Sequence, residues 1–173
     1  MIALAAPAAA QHGGPEAAPY AGEDAREIAA LSEAQVAQLE AGAGMGFALA
    51  AELNGWPGPL HILENAEALD LSAEQRAEVQ AIWDAMNADA VALGAELIAA
   101  EAALDAAFED RSVTAEGLEA LVMAAADVEG RLRARHLAAH LEATPVLSRH
   151  QRMVYGRLRG YAGDAGHSGH GGH

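Results

Sequence analysis

The segment His136-Leu137-Ala138-Ala139-His140 sets two imidazoles four residues apart. On a helix that spacing puts both rings on one face, where they can chelate one metal ion. No Glu follows the first His, so this is not the helix of a zinc protease. Two histidines near a helix C-terminus are also favoured by the helix dipole alone. A second set stands in His167-Ser168-Gly169-His170-Gly171-Gly172-His173, with His12 near the other end of the chain. Three imidazoles spaced by Gly and Ser can wrap a transition metal without preformed structure, at modest affinity because the segment must be ordered on binding. The spacing is unlike the consecutive run of an affinity tag. Imidazole donors suit Zn, Cu, Ni or Co. No nucleophile–base pair, phosphate loop or cofactor fingerprint accompanies them, so the sequence predicts a binding protein and not an enzyme.

Long helices must position these rings. From Ser72 to Phe108 the apolar residues Val79, Ile82, Trp83, Met86, Ala90, Leu93, Leu97, Leu104 and Phe108 fall on one helical stripe. Asp110-Arg111-Ser112-Val113 is a short turn with Thr114 as a cap. A second stripe runs through Leu118, Leu121, Ala125, Val128, Leu132, His136 and Ala139, and Pro145 ends it. So short a connection predicts an antiparallel hairpin, with arms over 72–109 and 114–143. His136 then lies opposite residue 88, within a turn of Asp84 and Met86, a carboxylate and a thioether. Taken singly, Met86 also reads as core packing and Asp84 as a solvated charge. Glu78 lies a turn further on, toward the level of His140. His61, on a short helix predicted over 60–69, can fold back beside the same end.

The remaining chain is punctuated more heavily. Residues 24–52 are weakly helical, interrupted by Gly42, Gly44 and Gly46, and Asn54-Gly55-Trp56-Pro57-Gly58-Pro59 is a hard break. Ser148 opens a final helix with Met153, Val154 and Leu158 apolar. Residues 11–23 and 162–173 read as loose, Gly-rich ends around one helical domain over 24–161.

Hydrophobic residues make up 52% of the 173, but aromatics only 4%. Ala is the best helix former and a poor core filler, so close packing of slender helices is expected. A net charge of −15 argues against nucleic acid and anionic membranes as partners. There is no Cys, hence no thiolate metal site. Ile2–Ala10 is a short apolar run closing on Ala8-Ala9-Ala10. It reads as the remnant of a secretory signal peptide, which predicts export. No other stretch approaches the apolar length of a membrane span.

The frame Leu-Ser-x-x-Gln occurs at 31–35, 71–75 and 147–151. Each copy is a helix start in which Ser caps and Gln reaches back. The last two flank the hairpin. That arrangement behind an export signal resembles the Spy/CpxP family, whose usual frame is Leu-Thr-x-x-Gln. Arg131-Leu132-Arg133-Ala134-Arg135-His136-Leu137 followed by Leu147-Ser148 is similar to its periplasmic heavy-metal sensor and resistance branch, the CnrX-like proteins. The resemblance covers residues 60–160; the copy at 31–35 lies outside it. It implies a bent helical hairpin that commonly forms homodimers in the periplasm. It also implies metal sensing, partnership with an inner-membrane sensor or anti-sigma protein, or ATP-independent chaperoning of unfolded clients. Branch ligands are an N-terminal His, a carboxylate of the long helix and a His-x-x-x-Met pair. His136-x-x-x-His140 matches the pair with His for Met, and His61 and Glu78 are placed by position only. A basic face for clients is available in Arg131, Arg133, Arg135, Arg149, Arg152, Arg157 and Arg159.

Overall fold

The computed structural model describes residues 20–161. The expected signal remnant, most of the segment 11–23, and His12, His167, His170 and His173 lie outside the described residues. Within them the fold is all-α: a long antiparallel hairpin with one short helix across the middle of its first arm and the other short helices at its open end. They are α1 (Glu33–Glu40), α2 (Leu49–Glu52), α3 (Pro59–Glu64), α4 (Ala73–Glu109), α5 (Ala115–Ala143) and α6 (Arg149–Leu158). The helix expected over 60–69 stops at Glu64, and turns carry the chain to Asp70.

The 37 residues of α4 span about 55 Å. Ser72 accepts from the Gln75 N–H, and the Gln75 side chain accepts from the Ser72 N–H at 3.1 Å. Thr114 caps α5 by accepting from Gly117 N–H at 3.0 Å. Between the arms, Met86, Ala90, Leu93 and Leu97 of α4 meet Ala125, Val128, Leu132 and Ala139 of α5. Toward the turn the stripe is left uncovered: Phe108 and Leu118, expected inside, are exposed. No other described element covers the tip, so the apolar period continues past the packing it serves.

All three Leu-Ser-x-x-Gln copies form complete capping boxes. The first, at Ser32, starts α1, which lies across α4. There the Leu39 carbonyl approaches so closely that a Cβ on Gly94 would sit 2.4 Å from it. The second and third copies touch each other. Gln75 and Gln151 exchange two amide hydrogen bonds of 3.0 Å, each Nε2 donating to the other Oε1. Gln75 Nε2 also donates to the Val146 carbonyl at 2.7 Å, and Gln151 Nε2 to that of Leu69 at 3.2 Å. Around this bridge Ile62, Leu69, Val79, Ala143, Leu147 and Tyr155 form a second core. Met153 and Leu158, read as the apolar residues of α6, are exposed, and Tyr155 is buried instead. The capping box turns Gln151 inward, and residue 155 shares its face one turn later.

No helix among the described residues is long and apolar enough to cross a membrane.

Candidate metal centre at the open end of the hairpin

Helix α5 buries both of its histidines, because their stripe continues that of Val128 and Leu132 into the open end. His136 is 4% exposed and stacks on Phe47, with ring centroids 5.7 Å apart. Its Nε2 is buried without a hydrogen-bond partner among the described residues. The ring's pKa is held below its ordinary 6.5, first by burial and then by the positive charge of His140 and Arg135. The neutral form, which carries a lone pair, is therefore favoured.

His140 is fixed differently. Its Nδ1 lies 2.7 Å from the Trp56 carbonyl. A carbonyl only accepts, so Nδ1 carries hydrogen and donates; in the neutral ring the lone pair is then on Nε2. This is the arrangement by which proteins orient metal-binding imidazoles. The segment Trp56-Pro57-Gly58-Pro59, read as a break, is thus a strap over His140. Gly58 closes it so tightly that an added Cβ would sit 2.8 Å from Cε1 and 2.9 Å from Nε2 of the ring.

A buried acid holds the strap. Glu52, 6% exposed, accepts through Oε1 from Tyr155 Oη–H at 2.6 Å and Arg159 Nε–H at 3.2 Å. Through Oε2 it accepts from Gly58 N–H at 3.3 Å and lies 3.7 Å from His140 Nδ1. Burial, then the Glu52 hydrogen bond and charge, push the Tyr155 hydroxyl far above its ordinary pKa of 10, so it stays a donor.

These groups share a cavity of about 530 Å³, walled by α4, α5 and the segment 41–49. His61, Glu52, His136 and His140 line it, with Trp83, Met86, Arg159 and Tyr161. Of the candidates read from sequence, His136, His140 and His61 come together here, and Met86 faces the same space. His61 is tied by Nδ1 to Glu64 Oε2 at 2.7 Å. The structure does not bring Asp84 or Glu78 in. Both are exposed, and Asp84 accepts from Gln80 at 2.9 Å. The inward face of α4 centres on Val79, Ile82 and Met86; residue 84 points almost directly away from it, and residue 78 stands at its edge, about 70° off centre, where it is exposed. The carboxylate at the histidines is Glu52, which sequence reasoning missed, with Tyr155, Arg159 and the Trp56 carbonyl. Nothing local distinguishes Glu52 among 25 acidic residues. Tyr155 alone had a signal, four residues after the motif Gln151.

The donor set fits a transition metal in part: two imidazoles one turn apart, one bare and one oriented, with a thioether on the same cavity. No group of three or more His, Cys, Asp or Glu suited to a metal occurs among the described residues. The chain matches no family model, no curated protein and no solved structure.

Proposed function

We propose that this is an exported, periplasmic metal-binding protein of the heavy-metal sensor or resistance type, taking a divalent transition metal (Zn, Cu, Ni or Co) through His136 and His140. The observation that carries the reading is the His136 Nε2, buried beside the cavity with no partner among the described residues. An unpaired buried polar atom costs roughly 1–3 kcal/mol, and a metal ligand bond is one function that accounts for retaining it. The resemblance to the Spy/CpxP family supports the same reading, and with it a homodimer signalling to an inner-membrane partner.

Calorimetric titration with Zn(II), Cu(II), Ni(II) and Co(II) tests it, in full-length chain with His167, His170 and His173 changed to Ser so that only the hairpin contributes. His136→Ala/His140→Ala should abolish the remaining binding; unchanged binding would remove the hairpin site. Gly58 has extended backbone, with φ −83° and ψ 143°, which Ala adopts freely. Gly58→Ala should therefore act only through the His140 ring it crowds, weakening metal binding by roughly 10-fold or more.

A chaperone reading has its own observation: Phe108, Leu118, Val122 and Met123 leave the hairpin tip apolar and exposed. Its basic face is weaker, since Arg131 pairs with Glu96 at 2.9 Å, Arg135 with Asp89 at 2.7 Å and Arg159 with Glu52 at 3.2 Å. Substoichiometric protein should suppress aggregation of an unfolded client without ATP if this reading is right, and equimolar protein should fail to do so if it is wrong.

A further inference from the structure

Imidazoles alone suit Zn, Cu, Ni or Co, and the rest of the cavity wall narrows the choice. The carboxylate and the third imidazole there are already engaged: Glu52 by Tyr155, Arg159 and Gly58, and His61 by Glu64. Glu52 and Arg159 also offset each other's charge. What the wall offers in their place is sulfur. Two of the chain's five methionines, Met45 and Met86, line the cavity together with His136 and His140.

The hairpin places Met86. The ion pairs Arg131–Glu96 and Arg135–Asp89 fix the register of the arms, setting residues whose numbers total 227 and 224 side by side. Met86 therefore stands level with residues 138–141 of α5, alongside the turn that links His136 to His140, and it shares the core cluster of Ala139. A tight turn places Met45. Phe47 N–H donates to the Gly44 carbonyl at 2.7 Å, and the two residues between, Met45 and Gly46, take left-handed φ values of 41° and 79°. Gly, Asn and Asp are the usual residues at the first of these positions, because a Cβ crowds the backbone there. This chain keeps Met at that strained position, half-buried against the core. The same turn lays Phe47 on the His136 ring. One turn thus supplies a thioether and braces the imidazole whose buried Nε2 has no partner among the described residues.

Two neutral imidazoles and two thioethers bring four donors and no negative charge. Thioether sulfur is soft and suits Cu(I), whereas Ni and Co sites draw on imidazole and oxygen. Zn(II) bonds sulfur as charged thiolate, and the chain has no Cys. Charge points the same way. The cost of carrying an ion out of water rises with the square of its charge. Glu52, the one carboxylate lining the cavity among the described residues, is already taken, so nothing there offsets a dication. We propose that Met45 and Met86 complete the set begun by His136 and His140, and that the ion this site selects is Cu(I), held by two Nε2 and two Sδ atoms. This rests on the reading of the two histidines as ligands and narrows its metal from four candidates to copper, in the monovalent state.

Anaerobic titration of Cu(I) against the chromophoric chelator bicinchoninate tests it, beside a Zn(II) competition titration, in full-length chain with His167, His170 and His173 changed to Ser. That chain should hold one Cu(I). Met45→Leu and Met86→Leu should each weaken Cu(I) binding about 10-fold or more, and both together about 100-fold or more, while Zn(II) affinity moves less than about 3-fold. Leu keeps the volume of Met and disturbs a core little, so the variants should stay folded by circular dichroism. Equal losses for Cu(I) and Zn(II) would make the methionines packing residues and overturn thioether ligation. A loss confined to one methionine would strike the other from the set. Cu(I) affinity indifferent to both Leu changes but lost with His136→Ala would overturn the thioethers while keeping the imidazole site. If His136→Ala/His140→Ala, folded by circular dichroism, changes neither metal's affinity, the underlying reading fails instead. X-ray absorption at the copper edge of selenomethionine-labelled protein gives a second readout without any core variant. Selenium should appear in the first shell of Cu(I), and a shell of nitrogen alone would overturn the proposal.

Discussion

At the residue scale, two histidines of one helix face are held in different ways for physical reasons. His140 has a backbone carbonyl on Nδ1 and a buried carboxylate nearby. His136 has an aromatic face and no polar partner on Nε2 among the described residues. Burial penalises the charged ring, so the folded chain binds the His136 proton less well than the unfolded chain, whose value is near 6.5. The unfolded state therefore takes up more protons as pH falls through 6.5, and stability declines until pH passes below the lowered folded value. Metal-free protein should lose thermal stability between pH 7 and 5. His136→Phe, which keeps the stacking on Phe47 and removes the titrating group, should flatten that slope. Thermal melts by circular dichroism across this range decide the point; an unchanged slope would assign the acid sensitivity to other groups.

At the element scale, the repeated capping motif does more than start helices. In α4 and α6 the motif glutamines close their own boxes and also bond each other and the carbonyls of Val146 and Leu69. In α1 Gln35 only closes its own box with Ser32. The same substitution should therefore carry different costs. Gln35→Ala should lose about 0.5–1 kcal/mol, a cap's worth. Gln75→Ala and Gln151→Ala should each lose about 1–3 kcal/mol, because partly buried carbonyls lose their donors along with the cap. Their double-mutant cycle should show a coupling of about 1 kcal/mol. Urea unfolding of the three single variants and the double supplies all the numbers. Additive losses at 75 and 151 would mean that the bridge contributes nothing of its own.

At the scale of the whole molecule, the hairpin and the strap are joined where the candidate ligands sit. Glu52 links α2, the strap at Gly58, and α6 through Tyr155 and Arg159. Any ion that binds the folded chain only must stabilise all of it. Free metal at 100 times its Kd should add about 2.7 kcal/mol, which for a domain of this size raises Tm by about 5–10 °C. Differential scanning with and without Zn(II) measures it. A shift that survives His136→Ala/His140→Ala would place the binding elsewhere.

The sequence by itself determined the helices and the hairpin. Helical period, caps and breakers act over a few residues, so the stripes of α4 and α5 and all three capping boxes could be read directly. The pairing of His136 with His140 was legible for the same reason, since four residues on a helix define one face. Tertiary structure decided which carboxylate joins them. Asp84 and Glu78 were nearby by hairpin register, yet the angular position of each turns it to solvent. Glu52 arrives on α2, from a segment more than 80 residues away, and holds a strap whose local pattern shows only a break. It also decided that Tyr155 rather than Met153 faces the core, and that Phe108 stays outside. Periodicity states which residues share a face; what that face meets depends on contacts between distant segments, which no local pattern encodes.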